Sequence, residues 1–199
     1  MPNTAKIAIV AALEREVRPL IKQWRPVERT YDGRNYKFFE NERAVLVCGG
    51  IGQEAARRAT EAIISLYAPV LVQSAGFAGA LDSTLKVGTV LTPICVIDAK
   101  DGSRIEAGVG YWVLVSVDQP AGVKQKAKLA EAYWAHAVDM EAAAVARGAQ
   151  AHDDFPDRDD VDWGKKNLIA AATKDGISIT TRPLPVMPAE LKALFEEGK

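Results

Sequence analysis

Apolar positions in this chain follow two spacings that take turns: short continuous runs, then stripes at helical spacing. The run over residues 6–12 predicts a buried strand, since an uninterrupted apolar stretch of that length suits a strand covered on both faces. Leu13, Val17, Leu20, Ile21 and Trp24 then recur at helical spacing. Pro19 removes a helix hydrogen bond unless it lies in the first turn, so the regular helix is expected from about Glu16. Residues 34–40 and 43–48 predict two strands joined by a polar turn at Asn41 and Glu42. The second strand runs into Gly49-Gly50-Ile51-Gly52, and residues 53–67 form an amphipathic helix with Ala55, Ala59, Ala62, Ile63 and Leu66 on one face. A strand over 70–74 ends in small residues, Ala75-Gly76-Phe77-Ala78-Gly79. A turn and strand over 85–99, a strand over 111–117, a helix over 121–133, a strand-like approach over 135–140 and an alanine-rich helix to about Gln150 complete the pattern. Strand followed by helix, repeated, is the signature of an α/β fold.

The pattern changes after residue 150. Asp153, Asp154, Asp157, Asp159, Asp160 and Asp162 crowd around Pro156 in a loop-like composition. They lack the D-x-[DN]-x-[DN]-G spacing of a calcium loop, so no metal is expected. Residues 167–174 predict a short helix, 177–181 an extended segment and 188–197 a terminal helix. A length of 199 residues suits one domain over 1–199, with an atypical segment after residue 150.

Composition narrows the function classes. The 48% hydrophobic and 26% charged content is that of a soluble globular protein, and a net charge of −1 draws the chain neither to nucleic acid nor to an anionic membrane. Lys124, Lys126 and Lys128 read as a solvated helix face. The apolar runs are strand-sized and the first residues carry no signal-peptide pattern, so no membrane span and a cytoplasmic location are expected. Cys48 and Cys95, isolated in apolar runs, read as buried thiols.

Glu16 and Glu141 are the candidates for chemistry. Each stands where a strand gives way to a helix, the place where open α/β folds bind ligands. A carboxylate there is also explained by the helix dipole alone, worth about 0.3–1 kcal/mol, and both readings stay open on these residues by themselves. The glycine cluster at Gly49 to Gly52 is neither a Walker loop nor a full dinucleotide fingerprint.

Four separated stretches together resemble a known family. Ile7-Ala8-Ile9-Val10-Ala11-Ala12-Leu13-Glu14-Arg15-Glu16-Val17, Gly49-Gly50-Ile51-Gly52, Ser74-Ala75-Gly76-Phe77-Ala78-Gly79-Ala80-Leu81 with Lys86-Val87-Gly88-Thr89-Val90, and Val138-Asp139-Met140-Glu141-Ala142 are similar in order and spacing to the purine nucleoside phosphorylase and nucleosidase superfamily. The likeness is greatest to its nucleosidase branch and to the hopanoid-associated phosphorylase-like proteins. It implies a three-layer α/β sandwich around a twisted mixed central sheet, nucleoside phosphorylase-like, assembled as a homo-oligomer with a dimer favoured.

The implied activity is cleavage of the N-glycosidic bond of a purine nucleoside or adenosyl-derived substrate. Such cleavage builds positive charge on the sugar and needs a nucleophile and a stabilised leaving base. By resemblance Glu16 activates the attacking water, Met140 packs on the ribose, Glu141 accepts from its hydroxyls, and Gly76 and Phe77 line the pocket. No cofactor is implied, only inorganic phosphate as co-substrate if the enzyme is a phosphorylase. Phosphorylases of this superfamily hold phosphate with an arginine where this chain has Ser74 beside Gln73, which favours water, with Arg15 as a partial substitute. Phe77 stands where nucleosidases have serine. The superfamily continues after the Glu141 helix into an apolar strand ending in Ser-Asp, whose aspartate protonates the purine. No such strand is legible here, and Asp153 and Asp154 are the acids left to fill that place. Hydrolysis is the leading expectation; phosphorolysis and nucleoside binding without catalysis are the alternatives.

Overall fold

The computed structural model describes residues 6–107 and 111–152, and the backbone at 167–169 and 171–172. In chain order the elements are β1 (Ile7–Ala11), α1 (Glu14–Ile21), β2 (Arg25–Tyr31), β3 (Arg34–Glu40), β4 (Ala44–Cys48), α2 (Gln53–Tyr67), β5 (Leu71–Ala75), β6 (Gly79–Ala80), β7 (Val90–Leu91), β8 (Pro93–Asp98), β9 (Arg104–Glu106), β10 (Trp112–Ser116), α3 (Val123–Tyr133), β11 (Ala137–Asp139), α4 (Ala142–Ala151), β12 (Asn167–Ile169) and β13 (Ala171–Ala172). Among the described residues no helix is long and apolar enough to cross a membrane.

β1 lies inside a six-stranded mixed sheet of order β12-β5-β1-β4-β3-β2, parallel to both β4 and β5. Its continuous apolar run follows from that position, because helices cover both faces. Val17 and Ile21 of α1 pack on Ile9, Ala11 and Leu46 from one side. Residues of α2 and α4 pack on Ala8, Val10, Val45 and Val47 from the other. A second, five-stranded sheet of order β6-β11-β10-β8-β9 lies over α4, and Leu129 of α3 packs with Ile97, Val115 and Val138 on its far face.

The alanine-rich composition of α4 has its explanation here. Ala144 and Val145 face the first sheet while Ala142, Ala143 and Ala146 face Val96, Leu114 and Ala137 of the second. A helix buried on two sides must be apolar on both of them, and small side chains let both sheets approach it. The contact with α2 is equally close. A Cβ on Gly148 would stand 2.8 Å from Cγ2 of Thr60, whose hydroxyl is held by a 2.8 Å bond to the Ala56 carbonyl. Gly148→Ala gains about 1 kcal/mol of helix propensity but overpacks this contact by about 1–3 kcal/mol. We expect a net loss of up to about 2 kcal/mol by denaturant melting, largely restored when Thr60→Ser removes the clashing methyl.

Three sequence expectations change. Helix α1 begins at Glu14 and retains Pro19, rather than starting at about Glu16, because burial of Val17 and Ile21 holds the helix despite the missing bond. β2 is a strand that the hydrophobic pattern does not show. It is mostly exposed and polar, and pairs with β3 through a turn in which Asp32 and Gly33 both have positive φ, 46° and 70°. Asp-Gly is the residue pair such tight hairpin turns prefer. The described part of the segment expected as a helix over 167–174 is extended: Asn167–Ile169 runs parallel to β5, with Leu168 opposite Gln73, and Ala171–Ala172 pairs with β7. A short strand therefore does stand beside β5 after the Glu141 helix, although no Ser-Asp pair follows it in the sequence. So short an apolar run suits helix or strand equally, and tertiary pairing decides.

Candidate functional site

The carboxyl ends of β1 and β5 meet the end of β11 around one cleft. Glu16, Ser74, Gly76, Phe77, Asp139 and Glu141 line it over an apolar floor of Val10, Ala11 and Ala12. Glu16, Glu141, Gly76 and Phe77, all expected from the sequence, are thus brought together. Met140 is not among the cleft-lining residues; its side chain is half-buried against the cluster around Ile97 and Val115. Asp153 and Asp154 lie outside the described residues.

Glu16 sits in the first turn of α1, where its Oε2 accepts from the Leu13 amide at 3.4 Å. This is the reach-back half of a capping box. A Cβ on Gly76 would stand 3.2 Å from the same oxygen, so the missing side chain at Gly76 leaves room for the buried carboxylate. Burial pushes the Glu16 carboxyl up from its ordinary value; the Leu13 amide opposes this, the nearby Glu141 adds to it, and Arg15 opposes it. Arg15 itself is exposed.

Glu141 does not cap the helix it precedes. Its Oε1 accepts from the Gly52 amide at 2.7 Å and its Oε2 from the Met140 amide at 3.2 Å. The Gly52 backbone has φ +94°, a conformation that favours glycine. The capping is done by Asp139 and Ser116. Asp139 Oδ2 accepts from the Ala142 amide at 2.7 Å, and Ser116 Oγ accepts from the Ala143 amide at 3.0 Å while donating to Asp139 Oδ1 at 2.5 Å. The first-turn amides of α4 are satisfied in this way, which leaves the Glu141 carboxylate free to face the cleft. Burial also pushes the Glu141 carboxyl up, with the Gly52 and Met140 amides opposing.

Asp139, Ser116 and the Gly52 amide are the members that sequence reasoning missed. An aspartate three residues ahead of an alanine-rich helix was the signal available for the first. Burial, with Glu141 beside it, pushes Asp139 up to about 7 from 3.8. The folded state then holds a proton on Asp139 more tightly than the unfolded state does, so this contribution to stability is fully present below about pH 4 and is lost as pH rises towards 7. We expect the thermal midpoint to fall across that window. In Asp139→Asn the slope should flatten while the cap is largely kept, since an asparagine oxygen can still accept from the Ala142 amide.

Three acids therefore surround one cleft, and among the described residues lining it there is no lysine, arginine or histidine. Such a site repels anions. It suits a neutral, hydroxyl-bearing ligand that becomes positively charged as it reacts.

These features define an α/β protein with an acidic cleft at its strand ends, built on the nucleoside phosphorylase-like fold. The fold is shared with S-adenosylhomocysteine nucleosidase of Streptococcus pyogenes, solved with 5-methylthiotubericidin, at a TM-score of 0.69 and 19% identity over 99% of this chain and 90% of that one. It is also shared with futalosine hydrolase of Helicobacter pylori, at a TM-score of 0.67 and 18% identity over 98% and 92%. The phosphorylase superfamily model matches residues 6–111, and the chain belongs to that superfamily.

Curated relatives are 5'-methylthioadenosine/S-adenosylhomocysteine nucleosidases. That of Lysinibacillus sphaericus is 34% identical over 128 residues, 62% of this chain and 54% of its own length. That of Tolumonas auensis is 38% identical over 90 residues, 43% and 39%. The chain thus spans between 39% and 54% of the length of these two relatives. A second model, fumarate reductase flavoprotein C-term, matches residues 123–194.

Proposed function

We propose that the chain cleaves the N-glycosidic bond of a purine nucleoside or adenosyl-derived substrate by hydrolysis. The observation that carries this reading is the convergence of Glu16 and Glu141 on one cleft without a cation among its described lining residues. Glu16, ionised, takes a proton from the attacking water, and its raised pKa brings it closer to neutral pH, where a general base is most effective. Glu141 is held by two backbone amides, and its remaining lone pairs accept from the sugar hydroxyls. Its negative charge stabilises the oxocarbenium character of the transition state. Met140 contributes through the backbone amide that holds Glu141, Gly76 and Phe77 wall the pocket, and Asp153 or Asp154 protonates the departing base. Water is the nucleophile because phosphate entering this cleft meets carboxylates and no described cation. A homodimer and a cytoplasmic location, which the resemblance and the composition imply, are proposed on the same footing.

Incubation with methylthioadenosine, adenosine and inosine, with and without phosphate, tests the proposal. Free base and free sugar should form at a rate independent of phosphate. Sugar 1-phosphate formed only with phosphate present would show phosphorolysis. Ligand-dependent melting with no turnover would show a nucleoside-binding protein instead.

A further inference from the structure

The hydrogen bond from Gly52 to Glu141 joins segments that hang on different sheets. Gly52 lies between β4 and α2 of the six-stranded sheet, Glu141 between β11 and α4 of the five-stranded one. Its 2.7 Å length depends on how α2 and α4 are placed along their axes. The contact between those helices is made largely of small apolar side chains, and hydrophobic packing of that kind is non-directional. A directional restraint has to come from elsewhere.

Asp98 supplies one. It closes β8 and is only 2% exposed. Its Oδ1 accepts from the Gln53 side-chain amide at 3.2 Å and from the Lys100 backbone amide at 3.0 Å. Its Oδ2 pairs with the Arg147 guanidinium at 3.0 Å. Gln53 is the first residue of α2 and directly follows Gly52; Arg147 lies on α4, the helix that Glu141 precedes. Asp101 and the Ser103 hydroxyl hold the same guanidinium at 2.6 and 2.5 Å. One buried carboxylate thus grips the helix behind each partner of the Gly52–Glu141 bond.

We propose that Asp98 is a positioning residue for Glu141, which through Gln53 and Arg147 sets the Gly52 amide against the Glu141 carboxylate. The competing role is local. The Lys100 bond and the backbone bonds to Ser103 and Gly102 make Asp98 part of the β8–β9 turn whatever happens at the cleft. Gln53 separates the two roles, because it takes no part in that turn. The kinetic arm of the test rests on the nucleosidase reading, and the exchange arm does not.

Gln53→Met removes the donor while keeping the volume, and Asp98→Asn removes one of the two carboxylates that hold Arg147. Both should speed hydrogen exchange at the Gly52 amide about tenfold while leaving exchange at Ile63, in the middle of α2, unchanged. Both should raise KM for the nucleoside roughly tenfold with a smaller change in kcat. In a Glu141→Gln background either substitution should add little, since a residue acting through Glu141 is not additive with it. Unaltered exchange at Gly52 in Gln53→Met would overturn the proposal, whether or not any nucleoside is turned over. Losses that multiply with Glu141→Gln would overturn it as well. If no nucleoside is turned over yet Gly52 exchange rises, the positioning stands and the nucleosidase reading fails by itself.

Discussion

Glu141→Gln should lower kcat/KM for the nucleoside by about 10²–10³-fold, the range found when one preorganised electrostatic partner of a transition state is removed. The substitution keeps an oxygen to accept from Gly52 and removes the charge that would face the oxocarbenium ion. Stability should change little. Burial already disfavours ionised Glu141, so a neutral amide relieves that cost even as its NH2 group displaces the weaker bond from Met140 at 3.2 Å. Steady-state kinetics together with a melting curve separates the two effects. Turnover equal to wild type would remove Glu141 from the site.

Glu16→Gln should cost about 10²–10⁴-fold in kcat, the usual contribution of a positioned general base. Because the carboxylate form is the active one, kcat/KM of the wild type should have an acid limb that rises with pH through the elevated Glu16 pKa. The two acids are coupled: Glu141 raises the Glu16 pKa and Arg15 lowers it. In Glu141→Gln the acid limb of the residual activity should therefore move to lower pH, and in Arg15→Ala to higher pH. The Arg15 effect should be small and should fade with added salt, since that side chain is exposed. A limb that stays fixed in Glu141→Gln would mean the two carboxylates do not share a cleft.

Much of the scaffold is legible locally. β1 and β4 are covered on both faces, so they read as unbroken apolar runs, and α2 shows its stripe because its outer face stays exposed. β2 escaped because an exposed edge strand needs no apolar alternation, and its one clear signal was the Asp32-Gly33 turn. β12 escaped because so short a segment has no period, and pairing with β5 made it a strand.

The site divides along the same line. Strand-to-helix junctions and residue type were enough to single out Glu16 and Glu141, and the four stretches in register pointed to the superfamily. The chain could not by itself say which acid caps α4. The helix-dipole explanation available for Glu141 belongs to Asp139, and Glu141 is instead held by Gly52, 89 positions away. Gly76 as the space for Glu16, and Asp98 as the tie between α2 and α4, are likewise products of tertiary structure. Periodicity reports how a residue faces its own element, because burial repeats with the geometry of that element. Hydrogen bonds between segments brought together by two sheets leave no such repeat, and the packed fold alone determines which carboxylate caps a helix and which faces the cleft.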